Sequence, residues 1–295
     1  MKYSQRSFVK SGLALAAGTS LSGRVTHLKA DPSGEPHVLY EGYAIAPRPS
    51  VQEATLGKLK DGRYWLLFGE GSKGEASNYK DPGFLKGRFS NDRGRSWQET
   101  MQLQTKDGSP IATARVTPHH SLFRLPSGAL GLIHGGPYAR SGRDGTVLFR
   151  KSTDEGQSWS APVTVDPYFS LSRTGSVRVL SNGRILTPVV SWISPDAGPT
   201  SESVERTLFF TLVFYSDNEG ESWNRALSEL FIPWDKMNLG AQSFDEPVVE
   251  ELKDGRVLMY ARTQMGRLYQ SVSEDRGTTW SVPSPLPHAT SDAPC

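Results

Sequence analysis

A glutamate and an arginine, Glu246 and Arg262, stand 16 residues apart in the segment FDEPVVEELKDGRVLMYART. The run between them consists of two β-rich stretches around an Asp-Gly turn, which is the pattern of a hairpin. We therefore expect the two side chains at opposite ends of one hairpin, near the same rim of the fold. A carboxylate can transfer a proton there, and a guanidinium can hold a carboxylate through two parallel hydrogen bonds. The plainer interpretation is a loop carboxylate before Pro247 and a surface charge at a strand end.

Four copies of an eight-residue pattern, Ser-x-Asp-x-Gly-x-Ser/Thr-Trp, lie along the chain, and we call them Asp boxes. The copies start at Ser90, Ser152, Ser216 and Ser273, so they are 62, 64 and 57 residues apart. Asp bonds nearby backbone in a tight turn, Gly adopts positive φ without penalty, and the final Trp has a large area to bury. The boxes are therefore predicted to be structural corners. Their third residues are Asp92, Asp154, Asn218 and Asp275, and Asn can make the same local hydrogen bond as Asp.

A hairpin pattern precedes each box, as LKDGRYWLLF, LPSGALGLI, LSNGRILTPVV and LKDGRVLMY. Each repeat then consists of a hairpin, a third strand, an Asp box and a fourth strand, which matches one blade of a β-propeller. Fourth strands are expected near residues 100–103, 162–165 and 226–231. The sequence thus predicts an all-β fold, a β-propeller domain over residues 36–295.

Length, charge and cysteine content exclude several classes of protein. The 295 residues can bury a substantial core as one domain. The 33 basic and 31 acidic residues nearly balance, which removes the electrostatic signature of a nucleic-acid-binding protein. Cys295 is the single cysteine, so an intrachain disulfide cannot form. Metal-ligand spacings, a phosphate-binding loop and an apolar run of membrane-spanning length are missing, and we expect a monomer without a metal, cofactor or membrane span.

Residues 1–30 have the features of an export signal. Lys2, Arg6 and Lys10 precede the short apolar run GLALAAG. The segment SQRSFVK resembles a twin-arginine motif with Gln5 in place of the first arginine, which leaves the Tat and Sec routes open. A short buried helix is the alternative interpretation. The mature protein is expected to be periplasmic or secreted.

The repeated Asp boxes resemble those of the sialidases and related BNR-repeat proteins, from about Tyr40 to the end of the chain. LLFGEG resembles the end of a first-blade strand in that superfamily. The segment around Glu246 and Arg262 resembles its Asn-Glu-Ser, Asp-Gly and Arg pattern, and it is more specific because Asp boxes also occur in non-catalytic propellers. The resemblance implies a sialidase-like six-bladed β-propeller of which this chain supplies about four blades. We interpret the chain as a fragment, with a degenerate propeller as the alternative.

The resemblance also implies roles for three residues. Sialidases use a Tyr nucleophile in place of a carboxylate, since the substrate carries its own carboxylate at the reacting carbon. A neighbouring Glu takes the Tyr proton, and a separate Asp protonates the leaving oxygen. Glu246 matches that Glu, Arg262 matches one carboxylate-binding Arg, and Asp81 occupies the place of the acid/base Asp. Asp81 also precedes Pro82-Gly83, so a plain turn residue is its alternative.

Two features depart from the superfamily pattern. Gln52 stands where the first blade has the Arg of an Arg-Ile-Pro sequence, and Arg48 is the candidate to replace that arginine. Glu53, a candidate substrate contact, aligns with Glu246 when each is counted back nine residues from the glycine of its hairpin turn. The superfamily's last Arg and its nucleophilic Tyr would come from blades that follow Cys295.

Two further residues are candidates for substrate contact. His119, with His120 beside it, falls at the start of the second repeat's inner strand and is expected to face the central channel. Arg173 occupies the analogous position in the third repeat, and a structural or solvent-facing role is the alternative for each. The expected function is an exported exo-α-sialidase-like glycoside hydrolase that acts on the terminal sialic acid or a related sugar of a carbohydrate. The alternatives are a non-catalytic propeller that binds glycans or proteins and an unrelated hydrolase or lyase on the same scaffold.

Overall fold

The chain folds into antiparallel β-sheets, as seen in a computed structural model. The structure describes residues 51–70, 83–113, 120–136, 146–166, 170–174, 177–193, 208–232, 243–263 and 265–287. All of them belong to the compact unit Arg48–Cys295. Every regular element in these ranges is a strand, so the all-β expectation is confirmed.

Four sheets follow one another along the chain, and successive strands pair antiparallel in each. The first sheet contains β1 (Val51–Lys58), β2 (Tyr64–Glu70), β3 (Gly83–Ser90), β4 (Met101–Gln102) and β5 (Ala112–Thr113), which pairs with β3. The second contains β6 (His120–Arg124), β7 (Leu130–Gly135), β8 (Val147–Ser152) and β9 (Val163–Asp166).

The third and fourth sheets repeat this order. The third contains β10 (Ser170–Thr174), β11 (Arg178–Val179), β12 (Ile185–Ile193), β13 (Leu208–Ser216) and β14 (Asn224–Leu230), with both β10 and β11 paired to β12. The fourth contains β15 (Asp245–Glu251), β16 (Val257–Arg262), β17 (Tyr269–Ser273) and β18 (Ser284–Pro285). The expected fourth strands of the first three repeats are observed as β4, β9 and β14.

The core lies between successive sheets. One apolar cluster joins the first and second sheets, a second joins the second and third, and a third joins the third and fourth. Trp65 of the first sheet and Trp159 of the second lie in the first of these clusters, with ring centroids 6.1 Å apart. Strand β7 is buried along its whole length because both of its faces are covered. Sheets stacked face to face in chain order are the arrangement of propeller blades.

Each Asp box closes its turn with its own side chains. In the first box, Ser90 Oγ accepts the N–H of Gly94 at 2.7 Å and donates to Asp92 Oδ1 at 2.8 Å. Asp92 also accepts the backbone N–H of Ser96 at 2.8 Å and its hydroxyl at 2.5 Å. These hydrogen bonds, first of all the one from the Ser96 hydroxyl, lower the pKa of Asp92 to about 2. The carboxylate is therefore fully engaged in holding the corner.

The third box keeps this geometry with an amide in place of the carboxylate. Asn218 Oδ1 accepts the Ser216 hydroxyl at 2.9 Å and the backbone N–H of Ser222 at 3.0 Å. Its Nδ2 then donates to the Ser222 hydroxyl at 2.8 Å. The amide thus repeats the contacts of the carboxylate, with donor and acceptor exchanged in the last one.

The residue before each box glycine also has a positive φ, which the sequence pattern did not indicate. These residues are Arg93, Glu155, Glu219 and Arg276, with φ of 62°, 59°, 54° and 58°. Two successive positive φ values are the geometry of a type I′ turn. From this position, Glu155 Oε2 accepts the N–H of Lys60 at 2.9 Å, and Glu219 Oε1 accepts the N–H of Ser127 at 2.5 Å. In this way each glutamate binds the first hairpin turn of the preceding sheet and links two blades.

Candidate functional site

The strand directions place the Asp boxes and the candidate site residues at opposite ends of the sheets. A box connects the end of a third strand to a fourth strand, and antiparallel pairing brings the first hairpin turn to that same end. Glu246 lies near the start of β15 and Arg262 at the end of β16, which is the other end of the fourth sheet. Glu53 near the start of β1 and Arg173 within β10 come from the first strands of their own sheets.

Glu246 and Arg262 form an ion pair at this end. Asp245 of β15 is the register partner of Arg262, which brings the next residue, Glu246, beside the guanidinium. Arg262 Nη1 lies 3.4 Å from both carboxylate oxygens of Glu246. The side chains are 43% and 35% exposed, so solvent and small molecules can reach both charges. An ion pair of this exposure contributes only about 0–1 kcal/mol to folding, so stability alone does not account for it.

The backbone at Glu246 is irregular. Asp245 pairs with Arg262 and Val248 pairs with Tyr260, so two residues of β15, Glu246 and Pro247, face one residue of β16. This is a β-bulge. Glu246 has a φ of +48°, where a G1 bulge usually has glycine. Such a conformation costs a non-glycine residue about 1–3 kcal/mol, and strain of this kind is concentrated at functional sites.

A hydrogen bond from the preceding residue accompanies the strained backbone. The carboxylate of Asp245, a residue only 6% exposed, accepts the backbone N–H of Glu246 at 2.7 Å. After β16 the chain is held in the same local way, because the Thr263 hydroxyl donates to the carbonyl of Arg267 at 2.7 Å. Both strands of the hairpin therefore leave the sheet in a defined direction at the candidate site.

Irregular pairing recurs in the first strands of two other sheets. In β1 the register shifts between Gln52 and Ala54, so that Glu53 is the extra residue. In β10 the shift falls in the part of the strand that contains Arg173. Three residues that the sequence selected, Glu53, Arg173 and Glu246, thus lie at breaks in the pairing of first strands. Bulges commonly occur next to active sites, where they change the direction of a side chain.

The remaining sequence candidates are placed as follows. Asp81, Arg48 and His119 lie outside the residues that the structure describes. His120 begins β6 as expected, but it is buried and does not face a channel, since only 4% of it is exposed. Its Nε2 donates to the carbonyl of Leu67 at 3.0 Å, and the Thr55 hydroxyl donates to its carbonyl at 3.1 Å. His120 therefore joins the first two sheets, which is the structural alternative for that position.

A buried histidine and a buried arginine pair in the second sheet, a contact that residue types and spacing do not predict. His134 has no exposed surface, and its Nε2 accepts a hydrogen bond from Arg150 Nε at 3.1 Å. Its Nδ1 donates to the carbonyl of Gly135 at 2.9 Å, while Arg150 Nη1 donates to the carbonyl of Ser160 at 2.8 Å. Desolvation, followed by the charge of Arg150, lowers the pKa of His134 to about 3. The imidazole is therefore neutral and serves as an acceptor for the guanidinium.

The described ranges contain neither a metal-binding cluster nor a membrane-spanning helix. No group of three or more His, Cys, Asp or Glu side chains there is placed to hold a metal ion. None of the described segments forms a helix with the length and apolar character needed to cross a membrane. The Glu246–Arg262 pair itself offers two kinds of chemistry, proton transfer at the carboxylate and anion binding at the guanidinium.

Comparison with known proteins identifies the family. The model of the BNR repeat-like domain family matches residues 119–293. The anhydrosialidase of Macrobdella decora is 29% identical over 150 residues, which is 48% of this chain and 17% of that protein. The chain therefore matches only about a sixth of the length of this curated relative.

Solved structures share the fold. A protein of unknown function from Dyadobacter fermentans has a TM-score of 0.59 at 21% identity, over 81% of this chain and 69% of the other. The Hadza microbial sialidase Hz136 has a TM-score of 0.53 at 15% identity, over 79% and 46%. The α-L-arabinanase of Penicillium chrysogenum, solved with arabinobiose, has a TM-score of 0.51 at 14% identity, over 84% and 70%. The chain belongs to the BNR repeat-like domain family, within the sialidase superfamily of β-propellers.

Proposed function

We propose that this protein is a glycoside hydrolase of the exo-α-sialidase type, which removes a terminal sialic acid or a related acidic sugar from glycans. The observation that carries the proposal is the ion pair of Glu246 and Arg262, half-exposed at the bulged end of the fourth sheet. The similarity to proteins named as an anhydrosialidase and a sialidase supports this class of sugar.

Arg262 has the donors to bind the carboxylate of an acidic sugar. A distance of 3.4 Å to each oxygen of Glu246 is long for an N–H···O hydrogen bond, so the guanidinium is not saturated by that contact. A guanidinium has five N–H donors on three nitrogens. The contacts with Glu246 involve one of these nitrogens, Nη1. A second carboxylate can therefore dock on the remaining edge of Arg262 while Glu246 stays in place.

Glu246 would act on the nucleophile. A sialic acid carries a carboxylate at its anomeric carbon, so a carboxylate nucleophile would be repelled, and sialidases use a Tyr. Glu246 is assigned the removal of the proton from that Tyr, which would come from a part of the propeller outside the described residues. Asp81, also outside those residues, is assigned the protonation of the leaving oxygen.

A non-catalytic glycan-binding propeller is the second candidate, and one observation favours it. Gln52, at the edge of the β1 bulge, stands where sialidases supply a carboxylate-binding arginine. An uncharged amide holds a carboxylate less firmly than a guanidinium does. Under the enzymatic proposal Arg48 supplies the missing charge, whereas under the binding proposal no replacement is needed.

Hydrolysis of 4-methylumbelliferyl sialoside by the complete natural protein tests the proposal. We expect release of the fluorophore by the wild type and a fall in kcat of about 10²–10⁴-fold in Glu246→Gln, which removes the proton acceptor. Arg262→Lys keeps the charge but loses the two-pronged geometry, so its KM is expected to rise. Glu229→Gln, a change at an exposed carboxylate of the outer strand β14, is the matched control and should leave both constants unchanged.

The same experiment separates the alternatives. Binding of sialyllactose without hydrolysis supports the glycan-binding propeller, and hydrolysis of linear arabinan alone supports another hydrolase on this scaffold. A wild-type protein that neither binds nor cleaves the sialoside refutes the proposed function. Activity that survives in Glu246→Gln refutes the role of Glu246.

We also infer that the protein is exported to the periplasm or beyond by its first 30 residues. The charged start and the short apolar run that follows it support this inference. Cell fractionation of a C-terminally tagged protein checks it. Removal of residues 1–30 should retain the protein in the cytoplasm, and an unchanged distribution would contradict the inference.

A further inference from the structure

We propose that Asp245 is a positioning residue that holds the backbone of Glu246 in its left-handed conformation and thereby directs the Glu246 carboxylate toward Arg262. The proposal rests on the proposed function, in which Glu246 receives a proton. It is carried by the bulge in β15, by the positive φ of Glu246 and by the hydrogen bond that Asp245 accepts.

The conformation of Glu246 differs from the other positive φ values of non-glycine residues in the described ranges. Those four residues, one in each Asp box, are all followed by glycine. Glu246 is instead followed by Pro247, whose ring restricts the residue before it to extended conformations. Pro247 also lacks an N–H and cannot continue the pairing with β16, which localises the bulge to these two residues. The strain at Glu246 therefore has no explanation in turn formation.

Asp245 is placed to hold this conformation. Its carboxylate oxygen lies 2.7 Å from the backbone nitrogen of Glu246, and a hydrogen bond from an N–H to an ionised acceptor is roughly twice as strong as one between neutral groups. The residue is 6% exposed, so water competes little for the same N–H. Asp245 is also the register partner of Arg262, so the bulge begins directly opposite that arginine.

The consequence for catalysis follows from the direction of the side chain. The direction of the Cα–Cβ bond of Glu246 depends on its φ. A relaxation to the extended region would therefore move the carboxylate away from Arg262, whose Nη1 now lies 3.4 Å from Oε2. A displacement of about 1 Å at a reacting group can lower a rate by about 10²-fold. In this proposal Asp245 acts through Glu246 and is a positioning residue.

A melting experiment tests the strain without using activity. Glu246→Gly and Glu246→Ala both remove the carboxylate and the ion pair, but only glycine adopts a φ of +48° without a Cβ penalty. We expect the Gly variant to melt about 2–4 °C above the Ala variant. The same pair of changes at Arg93, with a φ of +62° in the first Asp box, provides the matched control far from the candidate site. A Gly variant at position 246 that melts no higher than the Ala variant overturns the proposal.

Kinetics test the positioning role on the same substrate. Asp245→Asn keeps an oxygen that can accept the N–H of Glu246, whereas Asp245→Ala removes it. We expect kcat to fall about 10–100-fold in Asp245→Ala with KM changed by less than about 3-fold, and kcat of Asp245→Asn to stay within about 3-fold of the wild type. Equal losses in the two variants, or losses confined to KM, overturn the proposal. An inactive wild type overturns the proposed function and the catalytic part of this one, while the melting comparison still decides whether Glu246 is strained.

Discussion

Acid is expected to weaken this propeller through His134, a fully buried histidine of β7. The imidazole accepts a hydrogen bond from Arg150 at its Nε2 and donates at its Nδ1, which is possible only in the neutral form. Protonation would place a second positive charge beside the guanidinium in a site without water contact. Desolvation first, then Arg150 and to a smaller extent His120, lower the pKa of His134 from 6.5 to about 3.

The magnitude follows from proton linkage. The pKa is lower in the folded state, so the unfolded chain binds the proton first and the folded state loses stability as the pH falls below about 6.5. Each pH unit between 6.5 and about 3 removes about 1.4 kcal/mol from the free energy of unfolding. Between pH 7 and pH 5 this single group is therefore expected to remove about 2 kcal/mol, a considerable part of the stability of a typical domain.

Urea unfolding at pH 7, 6 and 5 measures the effect against a matched variant. His134→Gln retains an oxygen that can accept the hydrogen bond of Arg150 but does not titrate. Carboxylates such as Asp92, whose pKa is lowered by hydrogen bonds, contribute equally to both proteins and cancel in the difference. The wild type should lose about 2 kcal/mol more than the variant between pH 7 and pH 5. Parallel pH profiles of the two proteins would refute the assignment of this loss to His134.

Two further expectations concern the contacts between blades. Gly220→Ala introduces a Cβ 2.1 Å from the ring of Phe149 at a φ of +88°, and should lower the free energy of unfolding by about 2–4 kcal/mol. Gly62 has a φ of +91° but open space around it. An equally large loss of unfolding free energy in Gly62→Ala would therefore contradict the role of the packing against Phe149. Glu219→Ala breaks the contact with the preceding sheet's hairpin turn and should cost about 1–2 kcal/mol in the same assay. Glu221→Ala, at an exposed position of the same box, is the control, and an equal loss in that variant would contradict a specific role of the Glu219 contact.

The Asp boxes could be predicted from sequence because their hydrogen bonds are local. Ser90, Asp92 and Ser96 meet within seven residues of chain, so the pattern of residue types contains the whole turn. The hairpins were predictable for the same reason, since alternating strands and an Asp-Gly or Ser-Gly turn are short-range signals. Repetition of these two units at similar intervals then indicated the stacked architecture.

Contacts between sheets could not be predicted in this way. Glu155 and Glu219 bind turns that precede them by 95 and 92 residues, and one sequence does not show which turn faces which box. The start of an inner strand predicts a position at the channel for His120, yet its imidazole is hydrogen-bonded to Leu67 of the adjacent sheet. At Glu246 a proline after the residue was the one available signal for a bulge. No residue type indicated that a glutamate would adopt a positive φ there.

The two ends of the sheets use strained backbone differently, and the difference supports a functional site at the end away from the boxes. At the box end each positive φ pair ends in glycine, and Glu155 and Glu219 gain contacts with the preceding sheet. At the other end Glu246 has a positive φ and is followed by a proline. Its exposed ion pair with Arg262 contributes only about 0–1 kcal/mol, which does not offset the backbone strain. Glycine at that position would relieve the strain, so a carboxylate there is better explained by chemistry than by folding.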